Sequence, residues 1–427
     1  MARQTTRRAT KKSSDNTVAD ETDVLIAGGG YVGLCTAVAI RGAAPTLSVT
    51  IVDPVPAEAI EKDVRASAIA AAATRMLERL GVWAELVADA QPINEMIVTD
   101  SRLSDATRPV FLTFANDRTG GEPGGEQTPF AHMLPNRSLV KALRAKAEAL
   151  GVALVTNTVE GFSVGPASVD ICLGKGAASA KLLIAADGVR SKLREAAGIR
   201  TLHWPYEQMG IVVTVAHERP HEGRAEEHFL PAGPFAILPL KDNRSSLVWT
   251  ERTADARRLM EADDITFELE LEQRFGHKLG AITVEGPRRA FPLGLTLARD
   301  TVQERFALAG DAAHGIHPIA GQGLNLGFKD AAALSETIVE AHRLGLDIGS
   351  LAVLERYQQW RRFDTVQMGV TTDVLNRLFS NNNPLLRTMR DTGLGLVDRL
   401  PGLKRRFIDQ AAGYGSGTPR LLQGEAI

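Results

Sequence analysis

The sequence predicts an α/β protein that combines a parallel sheet flanked by helices, an inserted antiparallel β-sheet subdomain and a helical C-terminus. Three observations support this fold class. A short apolar strand, a glycine-rich turn, a helix and a second strand occur in succession after residue 22, and this order is the βαβ unit of parallel sheets. Alternating apolar residues between positions 203 and 290 are typical of antiparallel strands. Helical periodicity dominates from residue 324 onward.

The elements of the parallel sheet can be placed by their apolar runs. Residues 23–27 and 47–52 are predicted strands on either side of a helix over 34–40. An alanine-rich helix is predicted over 66–80, with Gly81 as its end. Further predictions are a helix over 138–150, strands over 152–156, 161–164, 169–173, 181–186 and 306–309, and a helix behind the N-cap residue Ser191.

These elements predict four parts of the chain. The inserted part contains predicted strands and two charged helices, and a Gly/Pro/Glu-rich loop over 120–127 is predicted to be exposed and mobile. The predicted ranges are 1–20 for a disordered basic arm, 21–100, 130–200 and 291–345 for a discontinuous nucleotide-binding domain, 101–129 and 201–290 for the inserted subdomain, and 346–427 for the C-terminal helical region.

The composition restricts the function. Lys and Arg number 49 against 51 Asp and Glu, whereas nucleic-acid-binding domains are usually strongly basic, so no nucleic-acid partner is expected. Cys35 and Cys172 lack metal-site spacing, so no metal is expected and both are interpreted as small core residues in a reducing, cytoplasmic compartment. No apolar run is typical of a transmembrane helix or of a secretory signal.

A glycine-rich turn follows the first predicted strand. Gly28, Gly30 and Gly33 match the GxGxxG pattern, in which the glycines allow a tight turn, close approach of a pyrophosphate and close packing of helix on strand. Asp53 ends the second strand, where an acid can accept hydrogen bonds from a ribose. The pattern predicts a Rossmann-like dinucleotide site, which NAD and FAD use alike.

Two distant motifs distinguish between these dinucleotides. Asp187 starts an Asp-Gly-Val-Arg-Ser turn between a strand and a helix. Gly310 and Asp311 end another strand, and Asp311 is suited to accept hydrogen bonds from a polyol such as a ribityl chain. Gly321 and Gly323 open a helix whose positive end would suit an anionic reduced flavin, and they let the backbone approach a flat ring.

At these three motifs the sequence resembles the single-component FAD-dependent aromatic hydroxylases, and most closely their UbiH/UbiF branch of ubiquinone biosynthesis. Residues 317–330 fit the pattern H-P-[LIV]-[AG]-G-Q-G-x-N-x-G-x-x-D at every position. Two departures are Tyr31 in place of the usual proline and Asp53 in place of glutamate. The resemblance implies that FAD is bound by Gly28, Gly30, Gly33, Asp53, Arg65, Arg137, Asp187, Gly310, Asp311, Pro318, Gly321, Gln322, Gly323 and Asn325.

The resemblance also implies an activity. NAD(P)H reduces FAD as a transiently bound reductant, and one atom of O2 is transferred to an aromatic ring, here a prenylated phenol of ubiquinone biosynthesis. His317 is the candidate catalytic residue, with a backbone-bonding role as the alternative. For Arg65 and Arg137 the alternative is a surface ion pair. The flavin supplies the redox chemistry, and the protein supplies orientation and a dry cavity.

The basic stretch over 377–410 is compatible with more than one kind of binding partner. Its interleaved Leu and Phe residues predict either an interface with the inner membrane or with a quinone-synthesis complex, or packing on the flavin domain or on a second subunit of a homo-oligomer. Alternative functions are a flavin-dependent reductase or oxidase of a prenyl lipid, a non-catalytic flavin-binding scaffold, and a plain NAD-dependent dehydrogenase.

Overall fold

The computed structural model describes residues 21–101, 103, 108, 110–115, 129–380 and 417–427. The predicted arm over 1–20 and the predicted loop over 120–127 lie outside the described residues. So does the basic stretch from residue 381 to residue 410.

The first sheet has eight strands, and its central strand comes from the start of the described chain. The order β17-β18-β11-β1-β2-β8 is parallel from β18 to β8, with β10 and β9 added antiparallel beyond β11. These strands are β1 (Glu21–Ala27), β2 (Val49–Asp53), β8 (Ala153–Thr156), β9 (Val159–Val164), β10 (Val169–Leu173), β11 (Ala177–Ala185), β17 (Val302–Gln303) and β18 (Phe306–Leu308).

Helices pack on this sheet, which explains why the carboxyl-terminal halves of β1 and β11 are buried and apolar. The helix α1 packs against α3 and α7, and α7 packs against α8. The helices are α1 (Tyr31–Ala43), α2 (Ala71–Arg79), α3 (Asn136–Ala149), α4 (Lys192–Ala196), α5 (Thr253–Glu261), α6 (Asp264–Phe275), α7 (Gln322–Arg343), α8 (Leu351–Phe379) and α9 (Arg420–Gln423), with short 3₁₀ helices at Ala57–Lys62, Trp83–Glu85, Gly310–Ala312 and Ile319–Gly321. Ser191 caps α4 as predicted, because its hydroxyl accepts a hydrogen bond from the backbone N–H of Arg194.

The second sheet also has eight strands, in the order β19-β16-β12-β15-β14-β13-β5-β6. It is antiparallel as predicted, except that β13 and β5 run parallel. These strands are β5 (Glu95–Asp100), β6 (Val110–Ala115), β12 (Thr201–His217), β13 (Arg224–Leu230), β14 (Gly233–Leu240), β15 (Arg244–Arg252), β16 (Ile282–Ala298) and β19 (His314–Gly315). The predicted helices over 254–262 and 266–275 correspond to α5 and α6.

The strand pairing does not coincide with the predicted boundaries at residues 100 and 291. The strand β5 lies in the predicted nucleotide-binding range, yet it pairs with β13 and β6 of the second sheet. The strand β16 continues past residue 291 and stays paired with β12 up to Ala298. The division into a discontinuous domain and an inserted subdomain stays a prediction, but this pairing assigns 95–100 and 291–298 to the second sheet.

A small third sheet corrects one prediction. It contains β3 (Ala66–Ala70), β7 (Ala131–Pro135) and β4 (Gln91–Ile93) in the order β3-β7-β4. The predicted helix over 66–80 is therefore wrong over its first five residues, and only α2 is helical. Alanine favours helix, but pairing with β7 and the hydrogen bonds between the Asn325 side chain and the backbone of Ala68 and Ala70 outweigh that local preference.

The two cysteines differ in burial. Cys35 lies in the core on α1, whereas Cys172 is exposed, so its predicted core position is wrong. On β10 the residues alternate between buried and exposed faces, and Cys172 falls on the exposed face.

The last described residues form a C-terminal clip, which we define as residues 417–427 with α9. Leu421, Leu422 and Ile427 join the same apolar core as α1 and α7. Arg420 pairs with Glu336 and Glu340 of α7. The C-terminal clip therefore packs on the helices that cover the first sheet.

Candidate active site

The carboxyl ends of neighbouring parallel strands meet at one edge of the first sheet. Ala27 of β1 lies opposite Ala185 of β11 and Val52 of β2, and Ala185 lies opposite Leu308 of β18. Ligands of open parallel sheets bind outside this edge. The motif residues that follow these strands are Gly28, Asp53, Asp187 and Gly310, so the structure brings the three sequence motifs together.

The glycines of the first turn have different physical roles. Gly28 has φ +117°, and a Cβ there would lie 2.2 Å from the carbonyl oxygen of Ala186. A Cβ on Gly33 would lie 2.0 Å from the carbonyl oxygen of Gly28. A Cβ on Gly30 would meet no protein atom within 4 Å. The fold itself requires Gly28 and Gly33, whereas Gly30 borders open space that a ligand can fill.

Asp53 stabilises the same turn. Its carboxylate accepts hydrogen bonds from the backbone N–H of Gly29 and from that of Val55, the latter at 2.6 Å. Each carboxylate oxygen can accept more than one hydrogen bond. Asp53 can therefore hold the turn and still accept a hydrogen bond from a ribose hydroxyl.

Two helices begin at this edge without side-chain caps. The N-cap residues of α1 and α7 are Gly30 and Gly321, and the first turn of each helix contains no acidic residue. The N–H groups of an uncapped first turn carry partial positive charge and attract anions. The α1 terminus fits a pyrophosphate, and the α7 terminus fits a second anionic group.

A cavity of about 870 Å³ lies between this edge and the second sheet. The candidate residues that line it are Asp311, Pro318, Gly321, Gln322, Gly323 and Asn325. The opposite wall is mainly apolar, and sequence reasoning missed its residues. They include Ile93, Met96, Phe130, Leu238, Val248 and Leu293, together with the hydrogen-bonded pair of His203 Nδ1 and Thr296 Oγ1 at 2.9 Å.

Asp311 is open to the cavity, but protein atoms surround its carboxylate closely. Burial raises the pKa of Asp311, although His314 and Arg65 oppose that shift. The backbone N–H of neighbouring Gly310 donates to Asp330 Oδ2 at 2.9 Å. A carboxylate held at this cavity wall is suited to accept hydrogen bonds from a polyol.

Tyr31 is a cavity residue to which the sequence assigned no role. It begins α1, lines the cavity and contacts the ring of Phe328 edge-on, with 6.2 Å between the ring centroids. Burial and the nearby Asp311 raise the pKa of its hydroxyl. Its position in place of the usual proline was visible in the sequence, but the direction of its side chain was not.

The two candidate arginines do not line the cavity. Arg65 is half-exposed and donates to Asp63 from Nε at 2.9 Å and from Nη2 at 2.8 Å. Arg137 lies in a separate polar cleft of about 1310 Å³, which borders the cavity at Ala66. Arg65 thus has the ion pair that was its alternative interpretation, and a contact of Arg137 with the cofactor would have to be made through that cleft.

Two further candidates have protein partners. Asn325 accepts from the N–H of Ala70 at 2.9 Å and donates to the carbonyl of Ala68 at 2.9 Å, so it ties α7 to β3. Asp187 is exposed and accepts a long hydrogen bond of 3.4 Å from the N–H of Leu193. Asn325 therefore positions the cavity wall, while Asp187 remains accessible beside Gly28.

His317 is fully buried and does not line the cavity. Among the described residues neither ring nitrogen has a hydrogen-bond partner, and its ring packs edge-on against Tyr206. Burial lowers the pKa of His317 to about 4. The imidazole is therefore neutral near pH 7, and the catalytic role of His317 stays a prediction.

The burial of His317 predicts how the free energy of unfolding depends on pH. The unfolded chain binds a proton on His317 below about pH 6.5, whereas the folded chain does not until about pH 4, so stability falls as pH decreases across this window. We expect His317→Asn to remove about 3 kcal/mol of this pH-dependent loss. Urea unfolding across the window measures it, and an unchanged slope in the variant would contradict a neutral buried His317.

Two observations concern metals and membranes. Within the described ranges, no group of three or more His, Cys, Asp or Glu side chains could hold a metal ion. No helix of the described residues combines the length and the apolarity needed to cross a bilayer.

The residues at the sheet edge fit FAD. Gly30 leaves room at an uncapped helix end for a pyrophosphate, Asp311 offers an acceptor for a polyol, and a second uncapped helix faces the ring-sized cavity. Fold and site together define a flavin-dependent enzyme with a dinucleotide site at the edge of the first sheet.

Comparisons with known proteins give the family. The sequence model of the FAD binding domain family matches residues 21–367. Ubiquinone hydroxylase UbiL of Rhodospirillum rubrum is 43% identical over 94% of this chain and 92% of that protein. The 3-demethoxyubiquinol 3-hydroxylase of Escherichia coli is 36% identical over 92% and 98%. The chain belongs to the FAD binding domain family, and it is an FAD-dependent monooxygenase, as the resemblance implied.

A solved structure supports the fold. The p-nitrophenol 4-monooxygenase PnpA of Pseudomonas putida superposes with a TM-score of 0.76 at 18% identity, covering 93% of this chain and 99% of that one. At this identity the likeness concerns the fold alone.

Proposed function

We propose that the protein hydroxylates an aromatic ring carbon of a polyprenylated phenol during ubiquinone biosynthesis, with NAD(P)H as transient reductant and O2 as co-substrate. The observation that carries this proposal is the cavity of about 870 Å³, which has residues 310–321, here called the flavin-binding loop, on one side and an apolar wall of the second sheet on the other. The names of the relatives from R. rubrum and E. coli support the same pathway.

We infer the roles of the candidate residues from their positions. Gly30 leaves space at the α1 terminus for the pyrophosphate of FAD, Gly28 and Gly33 allow the tight turn and the close packing of the helix beside it, and Asp53 would accept from the ribose. Asp311 accepts from the ribityl chain. Gly321, Gln322 and Gly323 line the cavity and would hold the flavin ring, with Pro318 and Asn325 supporting them. When bound and reduced, FAD supplies the activation of oxygen.

The second sheet orients the substrate and keeps water out of the cavity. Its apolar side chains exclude water from the face of the substrate ring, which protects a reactive centre from side reactions. The His203–Thr296 pair is a polar feature of this wall that is suited to meet a phenol hydroxyl. A cavity of this volume cannot hold a long prenyl chain beside a flavin, so the chain must extend out of it.

The test of the proposed function is mass spectrometry of quinone lipids in cells that lack this protein. We expect an accumulated prenylphenol that lacks one hydroxyl group, which also identifies the ring carbon. Purified protein supplied with ¹⁸O2, NAD(P)H and that lipid should incorporate one labelled oxygen atom. Unchanged ubiquinone together with unlabelled product would contradict the proposal and favour the reductase alternative.

Peripheral membrane association is part of the proposal, because a prenylated substrate resides in a bilayer. The outward face of α8 carries an apolar row spaced by three or four residues, as on one face of a helix. This row, the apolar face of α8, consists of Phe363, Val366, Val370 and Val374, all exposed. Trp204 of β12 is half-exposed nearby, with the Arg377 guanidinium 4.5 Å above its ring.

Vesicle flotation with anionic phospholipid tests this part. We expect the double variant Phe363→Ser and Val370→Ser to bind vesicles about tenfold more weakly, because it removes two inserted apolar side chains. The matched control is Ile265→Ser with Leu269→Ser on α6, two equally exposed apolar residues in the second sheet region. Equal binding by both double variants would exclude the α8 face as the membrane contact.

A further inference from the structure

A buried arginine on α8 joins two carboxylates behind the flavin-binding loop. Arg361 is 2% exposed. Its Nε donates to Asp330 Oδ1 at 2.8 Å, and its Nη1 donates to Asp364 Oδ2 at 2.9 Å. The planar guanidinium can hold two carboxylates in fixed directions, which an ammonium group cannot do.

The other oxygen of Asp330 holds the loop itself. Asp330 Oδ2 accepts from the backbone N–H of Gly310 at 2.9 Å and from His314 Nε2. In the sequence these two donors flank Asp311, the residue that faces the cavity. A single buried carboxylate thus fixes both sides of the segment that presents Asp311.

We propose that Arg361 is a positioning residue for FAD binding, which acts by holding the Asp330 carboxylate against Gly310 and His314 and so keeps Asp311 at the cavity wall. Arg361 does not line that cavity, so it acts through Asp330 rather than by touching the cofactor. The sequence offers no motif for Arg361. The inference rests on FAD binding alone, so it stands whichever substrate the enzyme uses.

The electrostatics explain why Arg361 is needed. Burial alone would raise the pKa of Asp330, but His314 and Arg361 outweigh burial and hold that pKa below its usual value. The titratable groups facing this pair are Asp311 and His314 of the loop, Lys329 of α7, and Tyr357 and Asp364 of α8. Without Arg361 only His314 would oppose burial, so the pKa of Asp330 would rise and its carboxylate would bind a proton at higher pH than in the wild type.

The test measures the release of FAD when the purified holoprotein is diluted. Flavin fluorescence monitors that release. We expect Arg361→Met to raise the FAD dissociation constant at least about tenfold, because a buried charged hydrogen-bonded pair is broken. We also expect the FAD affinity of this variant to fall more with decreasing pH than that of the wild type, because its Asp330 binds a proton at higher pH. The wild type should show less of this fall, because His314 and Arg361 together hold the pKa of its Asp330 below the usual value.

Three further variants separate positioning from general stability. Asp330→Asn cannot titrate, so we expect weakened FAD binding without the added pH dependence. Arg361→Lys keeps a positive charge and should bind FAD more tightly than Arg361→Met. The matched control is Arg274→Met, because Arg274 is 5% exposed and pairs with Glu251 and Glu270 of the second sheet region. It should lower the melting temperature and leave FAD affinity unchanged.

The outcomes decide the proposal. Weak, pH-dependent FAD binding in Arg361→Met, with normal binding in Arg274→Met, supports it. If Arg361→Met does not fold, Asp330→Asn and Arg361→Lys decide through their FAD dissociation constants. A loss of melting temperature in the Arg361 and Asp330 variants, with FAD affinity within twofold of wild type, overturns it.

Discussion

A Gly30→Ala variant is expected to fold as stably as the wild type and to bind FAD at least about a hundredfold more weakly, which corresponds to about 2.7 kcal/mol. Gly30 has φ −74°, a conformation that alanine adopts without strain, and its added methyl group would meet no protein atom within 4 Å. The methyl group would instead fill the space where backbone amides of α1 approach the pyrophosphate.

Gly28→Ala is the matched comparison, since it adds the same methyl group two residues earlier. It should destabilise the protein itself by about 3 kcal/mol or more, because Gly28 has φ +117° and the Cβ would collide with the backbone at Ala186. FAD titration monitored by flavin fluorescence and thermal unfolding without FAD give the two quantities. Wild-type FAD affinity in Gly30→Ala would show that the pyrophosphate lies elsewhere.

The double variant Leu421→Ala and Leu422→Ala is expected to lose about 5 kcal/mol of unfolding free energy, since each substitution truncates a fully buried leucine side chain. Both leucines lie in the core shared by α1 and α7. The carbonyl of Leu422 also accepts from Arg75 of α2 at 3.0 Å. Because α7 forms one side of the cavity, we expect weaker FAD retention in the same variant.

Gln423→Ala provides the control for this variant. Gln423 belongs to the same helix but is exposed, so its change should cost less than about 0.5 kcal/mol. Chemical denaturation of the three proteins measures the difference. A double variant as stable as Gln423→Ala would mean that the C-terminal clip does not contribute to the core.

The sequence was sufficient to predict those parts of the site that depend on the local backbone conformation. Gly28, Gly310 and Gly321 all have positive φ, and each was identified from a glycine pattern beside a strand or helix. The fold class could be predicted for the same reason, because βαβ periodicity and alternating strands are local signals. The strand β3 was missed because its conformation depends on pairing with β7, which lies far away in sequence.

Long-range contacts explain what the sequence could not provide. The apolar cavity wall comes from single residues on several strands, and each strand looks like any half-buried strand. Arg361 has no motif, and only the packing of α8 on α7 brings it to Asp330. Arg137 was identified through the resemblance, but the direction of its side chain into a separate cleft depends on neighbouring elements.

The discontinuous first sheet has a consequence for how the protein folds. Strand β1 pairs with β11, and β11 pairs with β18, so parallel neighbours come from widely separated parts of the chain. Such non-local pairing slows folding, because long loops must close before the contacts form. During synthesis, residues 183–185 of β11 have an unpaired edge until residues 306–308 emerge, whereas residues 177–180 already pair with β10. The partly folded chain is therefore exposed to edge-to-edge aggregation over that interval, and we expect its yield to depend on chaperones.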